Sequence, residues 1–181
     1  MNSKATTTSG GLFGEALATA RPVLVSACLL GVACRYDGAT RRSAYVLRAL
    51  DGIAVLPVCP ELVAGLGVPR APFQPLHVDM ARIIADQRGL VDATGRDVTA
   101  PVVAACRQLT ETAVAAGVRR AFLKDGSPCC GVSRISVGRW PVTRRVSGHG
   151  VLTELLRRHG IEVASEASPQ SSTPPEVHSY E

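Results

Sequence analysis

The groups in this sequence best suited to chemistry are six cysteines: Cys28, Cys34, Cys59, Cys106, Cys129 and Cys130. Two are adjacent, in LKDGSPCCGV at residues 123–132. Side-by-side thiols in a Gly/Pro turn are poor core material, so this stretch points to metal ligation or thiol chemistry. Zinc sites commonly use short C-x-x-C pairs or mix Cys with His. Neither spacing occurs here, and His77, His149, His159 and His178 do not fall at ligand intervals. His149, between two glycines, is the histidine to watch. An iron–sulfur cluster takes thiolates from distant loops, which suits a dispersed set. On spacing alone a cluster, a zinc site and redox-active thiols all stay open. Cys106 differs: it sits mid-helix in VVAACRQL and reads as a small buried apolar residue.

Polar groups accompany the thiols in three places. CRYDG, 34–38, is a turn with Arg35 and Asp37. CPELVAGLGVPRAP, 59–72, sets Glu61 close behind Cys59 and carries Arg70 in a loop stiffened by Gly and Pro. KDGSPCC, 124–130, sets Lys124 and Ser127 ahead of Cys130. A carboxylate in a partly dry cleft can act as a base, so Glu61 is the candidate for water activation. Ser127 can hydrogen-bond a substrate edge or a water, and Lys124 and Arg70 can hold an anionic substrate. Each also has a plain structural use: Glu61 as a helix cap, Ser127 as a turn cap, Arg70 as the partner of a carboxylate.

The elements that must position these groups are legible in the apolar pattern. PVLVSA (22–27), IAVLPV (53–58), RAFLK (120–124) and IEVAS (161–165) are short apolar runs of the kind buried in a parallel sheet. Helical patterns lie between them at 42–50, 99–117 and 148–160. In the long one Thr99 is placed to cap, Pro101 falls in the first turn and Gly117 stops the helix. ARIIADQRGLVDATG, 81–95, has two short apolar runs about a polar turn and predicts a small inserted β-hairpin. Strand alternating with helix predicts a single α/β domain over 21–166, its mainly parallel sheet flanked by helices. Ligands of such sheets bind beyond the carboxyl ends of the strands. Cys28, Cys59 and the Cys129-Cys130 pair each follow a strand, so three strands deliver thiols to one edge, with Cys34 a short loop after Cys28.

Composition narrows the class. Hydrophobic residues make up 46% and charged residues 19%, enough for one packed domain and too apolar for a disordered chain. No apolar run reaches the roughly 18–20 residues that span a bilayer. Residues 1–20, interrupted by Glu15 and by Gly and Thr, read as a loose leader rather than a signal peptide, and 167–181 as a disordered tail. A cytoplasmic location follows, where metal or catalytic roles for cysteine outweigh disulfides. The net charge of +5 comes from arginine doublets at 41–42, 119–120, 144–145 and 157–158, either solvated surface or an attraction for phosphate and nucleic acid.

VSACLLGVACRYDG, PVCPELVAGLGVPRAP, LKDGSPCCG and GHGVLTELLRRHGIEVASE, in this order, resemble the thiouracil desulfidase (TudS) family over about residues 22–166. The resemblance implies one α/β domain with a 4Fe–4S cluster on three cysteines, its fourth iron open to substrate sulfur. It further implies exchange of the sulfur of a thiouracil for oxygen, with no net redox change. Residue by residue, it implies Cys28, Cys59 and Cys130 as ligands, Glu61 and Ser127 as catalytic residues, and Cys34 as a further thiol near the site. Where the family usually reads SPSCG, this chain reads SPCCG. Cys129 is thus an extra thiol, a competing ligand or one half of a vicinal disulfide. The substrate is a small thiouracil or thiolated tRNA, with no membrane partner. The rivals are a non-catalytic iron–sulfur or zinc protein, and a metal-free persulfide sulfurtransferase using Cys129 and Cys130.

Overall fold

The computed structural model describes residues 21–167. The expected leader, and the expected tail beyond Ala167, lie outside the described residues. In chain order the elements are β1 (Val23–Ser26), α1 (Ala44–Ala49), β2 (Val55–Val58), α2 (Pro60–Val63), β3 (Phe73–Pro75), α3 (Met80–Asp86), β4 (Leu90–Asp92), α4 (Thr99–Ala115), β5 (Arg120–Leu123), β6 (Arg134–Arg139), β7 (Val142–Ser147), α5 (Val151–Arg158) and β8 (Glu162–Ser165). A single 3-10 turn, Ala27–Leu30, follows β1.

The four apolar runs form one parallel sheet in the order β2-β1-β5-β8. Every residue of β1 is buried because successive side chains enter different cores. Leu24 joins Ala121 and Leu123 of β5, with Ile83, Val102, Val103, Leu152 and Leu156 from α3, α4 and α5. Val23 and Val25 face Val46 and Leu50 around α1, with Leu29 of the 3-10 turn. Phe122 packs on this second side and meets Tyr45 edge-on, ring centroids 6.4 Å apart. Pro57 cannot donate to a ladder, and β2 is an edge strand, where that loss is tolerated. The chain runs from β1 to β2 on one side and returns to β5 on the other. This reversal opens a crevice beyond the carboxyl ends of β1 and β5, and the main chain is stitched there by Lys124 N donating to Ser26 Oγ at 3.0 Å.

Two local expectations are corrected. Residues 81–95 do not fold back on themselves as a hairpin: their first half is α3. Asp79 caps that helix, its Oδ1 accepting from Arg82 N at 2.9 Å, and Met80, Ile83 and Ile84 recur at helical spacing on a buried face. Only Leu90–Asp92 is a strand, and its antiparallel partner is β3. Thr99 is the first helical residue rather than the cap of α4. Its hydroxyl donates to Asp97 Oδ1 and accepts from Leu90 N at 2.8 Å, tying the helix start to β4. A second antiparallel pair, β6–β7, was not anticipated. It carries Arg139, Trp140 and the 144–145 arginine doublet.

Asp79→Ala should cost about 0.5–2 kcal/mol through loss of the α3 cap, read as a lower urea midpoint at unchanged m-value. Were 80–86 a strand, the substitution would leave the midpoint in place.

Candidate metal centre and active-site cavity

The crevice is a cavity of about 310 Å³ whose wall includes Cys28, Cys34, Cys59, Cys130, Glu61 and Ser127. Arg70 and Lys124 line it too, so it brings together the expected site residues apart from Cys129. Cys28 sits on the 3-10 turn after β1, and its carbonyl accepts from Arg41 N at 2.9 Å. Cys59 precedes the first residue of α2, where its carbonyl accepts from Leu62 N and Val63 N, both at 3.1 Å. Cys34 presents its carbonyl to Arg70 Nη2 at 2.8 Å and to Cys59 Sγ at 3.7 Å.

Cys130 depends on the most constrained stretch of the molecule. Asp125, buried just after β5, gathers four donors: Oδ1 accepts from Val132 N (2.8 Å), Ser133 N (3.0 Å) and Arg134 N (3.1 Å), and Oδ2 from Ser133 Oγ (2.7 Å). The loop 125–134 is thereby closed on itself. Within it Ser127 Oγ accepts from Cys129 N and Cys130 N, both at 3.2 Å, the turn-capping use foreseen for it. From outside, the start of α5 donates to the loop: Gly150 N to Gly131 O, Val151 N to Pro128 O, Leu152 N to Cys129 O, and Thr153 Oγ1 to Cys130 O. Donors that a helix start leaves unpaired thus meet the carbonyls of residues 128–131. The approach admits no side chain: a Cβ on Gly150 would lie 2.3 Å from Cys129 O, and one on Gly131 2.7 Å from Ser127 O.

Burial shapes the thiols. It pushes Cys28 up to about 11, with help from neighbouring Cys59, and Cys34 up to about 12, again beside Cys59. Cys130 is raised by burial, with Cys28 adding to the rise and a hydrogen bond to Ser26 opposing it. These three thiols share one cavity wall with Cys59. Among the described residues no three or more His, Cys, Asp or Glu side chains are grouped to hold a single metal ion. A zinc ion needs donors within about 2.0–2.3 Å of one point. A cluster is larger than one ion and takes soft thiolates standing further apart, so the residues present fit that group better.

Both cations expected to hold an anionic substrate already have carboxylate partners. Arg70, with a side chain only 4% exposed, donates through Nε at 2.7 Å and Nη2 at 2.5 Å to Glu61 Oε2, and through Nη1 to Gly67 O. Lys124 Nζ pairs with Glu166 Oε1 and donates to Asp125 O at 2.7 Å, while Glu166 Oε2 accepts from Asp125 N. Arg35 stacks over the Tyr36 ring and lies 3.4 Å from Asp37. His149 pairs with Glu154 at 2.6 Å, away from the cavity wall.

Comparison with known proteins now decides the family. The family described as 2-thiouracil desulfurase matches residues 23–168. This chain belongs to the 2-thiouracil desulfurase family. It is 31% identical over 144 residues to the Bacillus subtilis (strain 168) protein named Uncharacterized protein YbbK, spanning 80% of this chain and 95% of YbbK. Among solved structures it resembles a 4Fe–4S-dependent thiouracil desulfidase, TudS, with a TM-score of 0.69 and 39% identity, over 81% of this chain and 91% of that one.

In this member of the 2-thiouracil desulfurase family the extra thiol turns inward. Cys129 is fully buried in the core, hydrogen-bonded to Cys106, and that bond together with burial raises it well above the ordinary thiol range. It does not line the cavity, and all six cysteines are free thiols. Arg41 and Arg145, members of two of the arginine doublets, line the wall, as do Gln74 and Trp140, which were not singled out in the sequence. The only signal for Trp140 was scarcity, since the chain has a single Trp and only 4% aromatic residues.

Burial opposes charge on Asp125, but the bonds from Ser133, Val132 and Arg134 outweigh it and hold the carboxyl well below the usual carboxylate range. A depressed folded value gives stability that is complete above the unfolded value, about pH 4, and is lost as pH falls toward the folded value. Asp125→Asn should flatten this acid limb in denaturation midpoints measured from pH 6 to 2. Asp125→Ala should cost roughly 2–4 kcal/mol at pH 7 by stranding buried donors. An unchanged acid limb in the Asn variant would show that the clamp is not ionic.

Proposed function

We propose that this protein replaces the sulfur of a thiouracil, as the free base or within a thiolated nucleoside, by oxygen, using a 4Fe–4S cluster held by Cys28, Cys59 and Cys130. The observation that carries this reading is the convergence of those three thiols with Glu61 and Ser127 on one cavity. Membership of the family supports it, as does a 39% identical relative described as 4Fe–4S-dependent.

The reaction balances with water alone. The carbon–sulfur bond breaks, a carbon–oxygen bond forms, sulfur leaves as sulfide with protons from water, and no electrons are exchanged. When bound, the cluster would supply a soft Lewis acid that draws charge from the thiocarbonyl and receives the departing sulfur. The remaining work falls to side chains. Arg70 pairs with Glu61 and fixes its orientation, being itself anchored on Cys34 O and Gly67 O. Both guanidinium contacts fall on Oε2, so Oε1 keeps its capacity to take a proton from the attacking water. Ser127 has a defined polarity. A hydroxyl has two acceptor sites and one donor, and Cys129 N and Cys130 N occupy the acceptor sites. Ser127 therefore donates, to the substrate's carbonyl edge or to the water. Lys124 and Arg70 build the wall by holding Glu166 and Glu61 rather than by gripping an anion.

Anaerobic reconstitution should give a brown protein, and its iron and sulfide content tests the ligands. Cys59→Ala should lose the cluster, while Cys106→Ala and Cys129→Ser should retain it. The reverse pattern would overturn the assignment. Glu61→Gln should keep the cluster and lower turnover by roughly 10²–10⁴-fold, as for a lost general base. Turnover is followed as loss of thiocarbonyl absorbance with 2-thiouracil, 4-thiouracil or thiolated tRNA. A holoprotein inactive on all three is better explained as a non-catalytic metalloprotein. Activity on tRNA should fall steeply with salt as arginines lose phosphate contacts, and activity on the free base should not.

A further inference from the structure

Two wall residues have no part in ligating the cluster or activating water, and both are oddly placed for a merely structural role. Gln74 is the middle residue of β3. Its neighbours Phe73 and Pro75 are buried, and Gln74, half-buried between them, lines the cavity wall together with Phe73. Its Oε1 is buried and has no hydrogen-bond partner among the described residues. A buried acceptor left unsatisfied costs about 1–3 kcal/mol, and such groups persist where something else satisfies them. Trp140 is the chain's single tryptophan, at the turn of the β6–β7 hairpin. It is 52% exposed and yet lines the same cavity. In a chain this poor in aromatics, a large ring held half in water at a cavity wall is available as a flat apolar platform. Both line one cavity, and β3 packs against β6, the strand that leads into the turn bearing Trp140.

We infer that Gln74 and Trp140 form a subsite for a planar pyrimidine, Gln74 reading its edge and Trp140 stacking on its face. This rests on the thiouracil reading above and adds how the ring is selected. A carboxamide presents an acceptor beside a donor, and the edge of a uracil ring presents N–H beside C=O. The orphaned Oε1 of Gln74 accepts from a ring N–H, and the amide NH₂ donates to the neighbouring carbonyl. An acyclic thiocarbonyl has no ring face to offer Trp140, and a ring methylated at that nitrogen has no proton to offer Gln74.

The test uses reconstituted holoprotein with four substrates: 2-thiouracil, its N1-methyl and N3-methyl derivatives, and acyclic thiourea. Uracil binding is measured separately by calorimetry. The variants are Gln74→Met, Trp140→Ala and Trp140→Phe. Gln74→Met keeps length while removing the polar atoms. It should raise KM for 2-thiouracil and weaken uracil binding by about 3–10-fold, the loss of one or two neutral hydrogen bonds. Its kcat should be nearly unchanged, and the parent's discrimination against one methyl derivative should vanish. Because an unpaired acceptor is removed, its Tm should hold or rise, the opposite of what a structural glutamine would show. Trp140→Ala should raise KM by about 5–50-fold, the range of one lost base-stacking contact. Trp140→Phe should recover most of that loss, and neither tryptophan variant should alter turnover of thiourea. If the parent desulfurates thiouracil while all three variants keep its KM, uracil affinity and discrimination, the subsite is wrong and the desulfidase reading stands. A parent inactive on every thiobase overturns both.

Discussion

Everything chemical in this molecule hangs on how one loop is held. Cys130 and Ser127 lie on the segment between β5 and β6, and a loop rich in Gly, Pro and Ser has no rigidity of its own. Two devices supply it. Inside, the Asp125 carboxylate collects three backbone N–H groups and a hydroxyl from residues seven to nine positions onward. Outside, the first turn of α5 meets the carbonyls of residues 128–131. Asp125 is fixed in turn by Glu166, which accepts its backbone N–H and pairs with Lys124. The position of Cys130 is therefore set from β5, from α5 and from the end of β8 together. This answers what the two glycines flanking the contact are for: at Gly131 and Gly150 any side chain would enter space held by main-chain carbonyls.

Two of the cations on the cavity wall, Arg70 and Lys124, have a carboxylate partner at close range. Arg70 neutralises Glu61, and Glu166 neutralises Lys124. Arg41 and Arg145 are exposed wall residues with no carboxylate partner among the described residues. Arg70–Glu61 is the more enclosed of the two pairs, its side chains 4% and 17% exposed. Buried pairs of this kind contribute little to stability but fix direction. Arg70 gives the Glu61 carboxylate one orientation and also binds the Cys34 carbonyl, so Glu61 and the thiol wall are one connected unit.

The sheet was legible from the sequence as four short apolar runs standing between helical patterns, although only β1 is buried throughout. Their strand order put Cys28, Cys59 and Cys130 on one edge by topology alone. The hairpin expected at 81–95 failed because a short apolar pair around a polar turn fits both periods. The Asp79 cap, one residue before α3, was the discriminating signal. β6–β7 escaped because β7 is largely exposed and lacks an apolar run. The pairings of Arg70 and Lys124 were not readable either. Their partners lie 9 and 42 residues away, and which carboxylate meets which cation is decided only once the loops are placed. Gln74 was invisible for the same reason: an orphaned acceptor exists only relative to a folded wall.

The extra thiol at Cys129 shows how the fold separates two adjacent side chains. Cys130 faces the cavity, with Ser26 and Cys28 as neighbours, while Cys129 meets Cys106 in the core. Their backbone N–H groups share the Ser127 hydroxyl. A turn held in this way sends consecutive side chains to different sides. A vicinal disulfide would have to draw both sulfurs to one side, breaking the Cys106 contact and the α5 bonds to Cys129 O and Cys130 O at once. The geometry that turns Cys130 toward the cavity thus also keeps its neighbour in the core. Cys106, buried mid-helix, acts here as the packing partner of that neighbour.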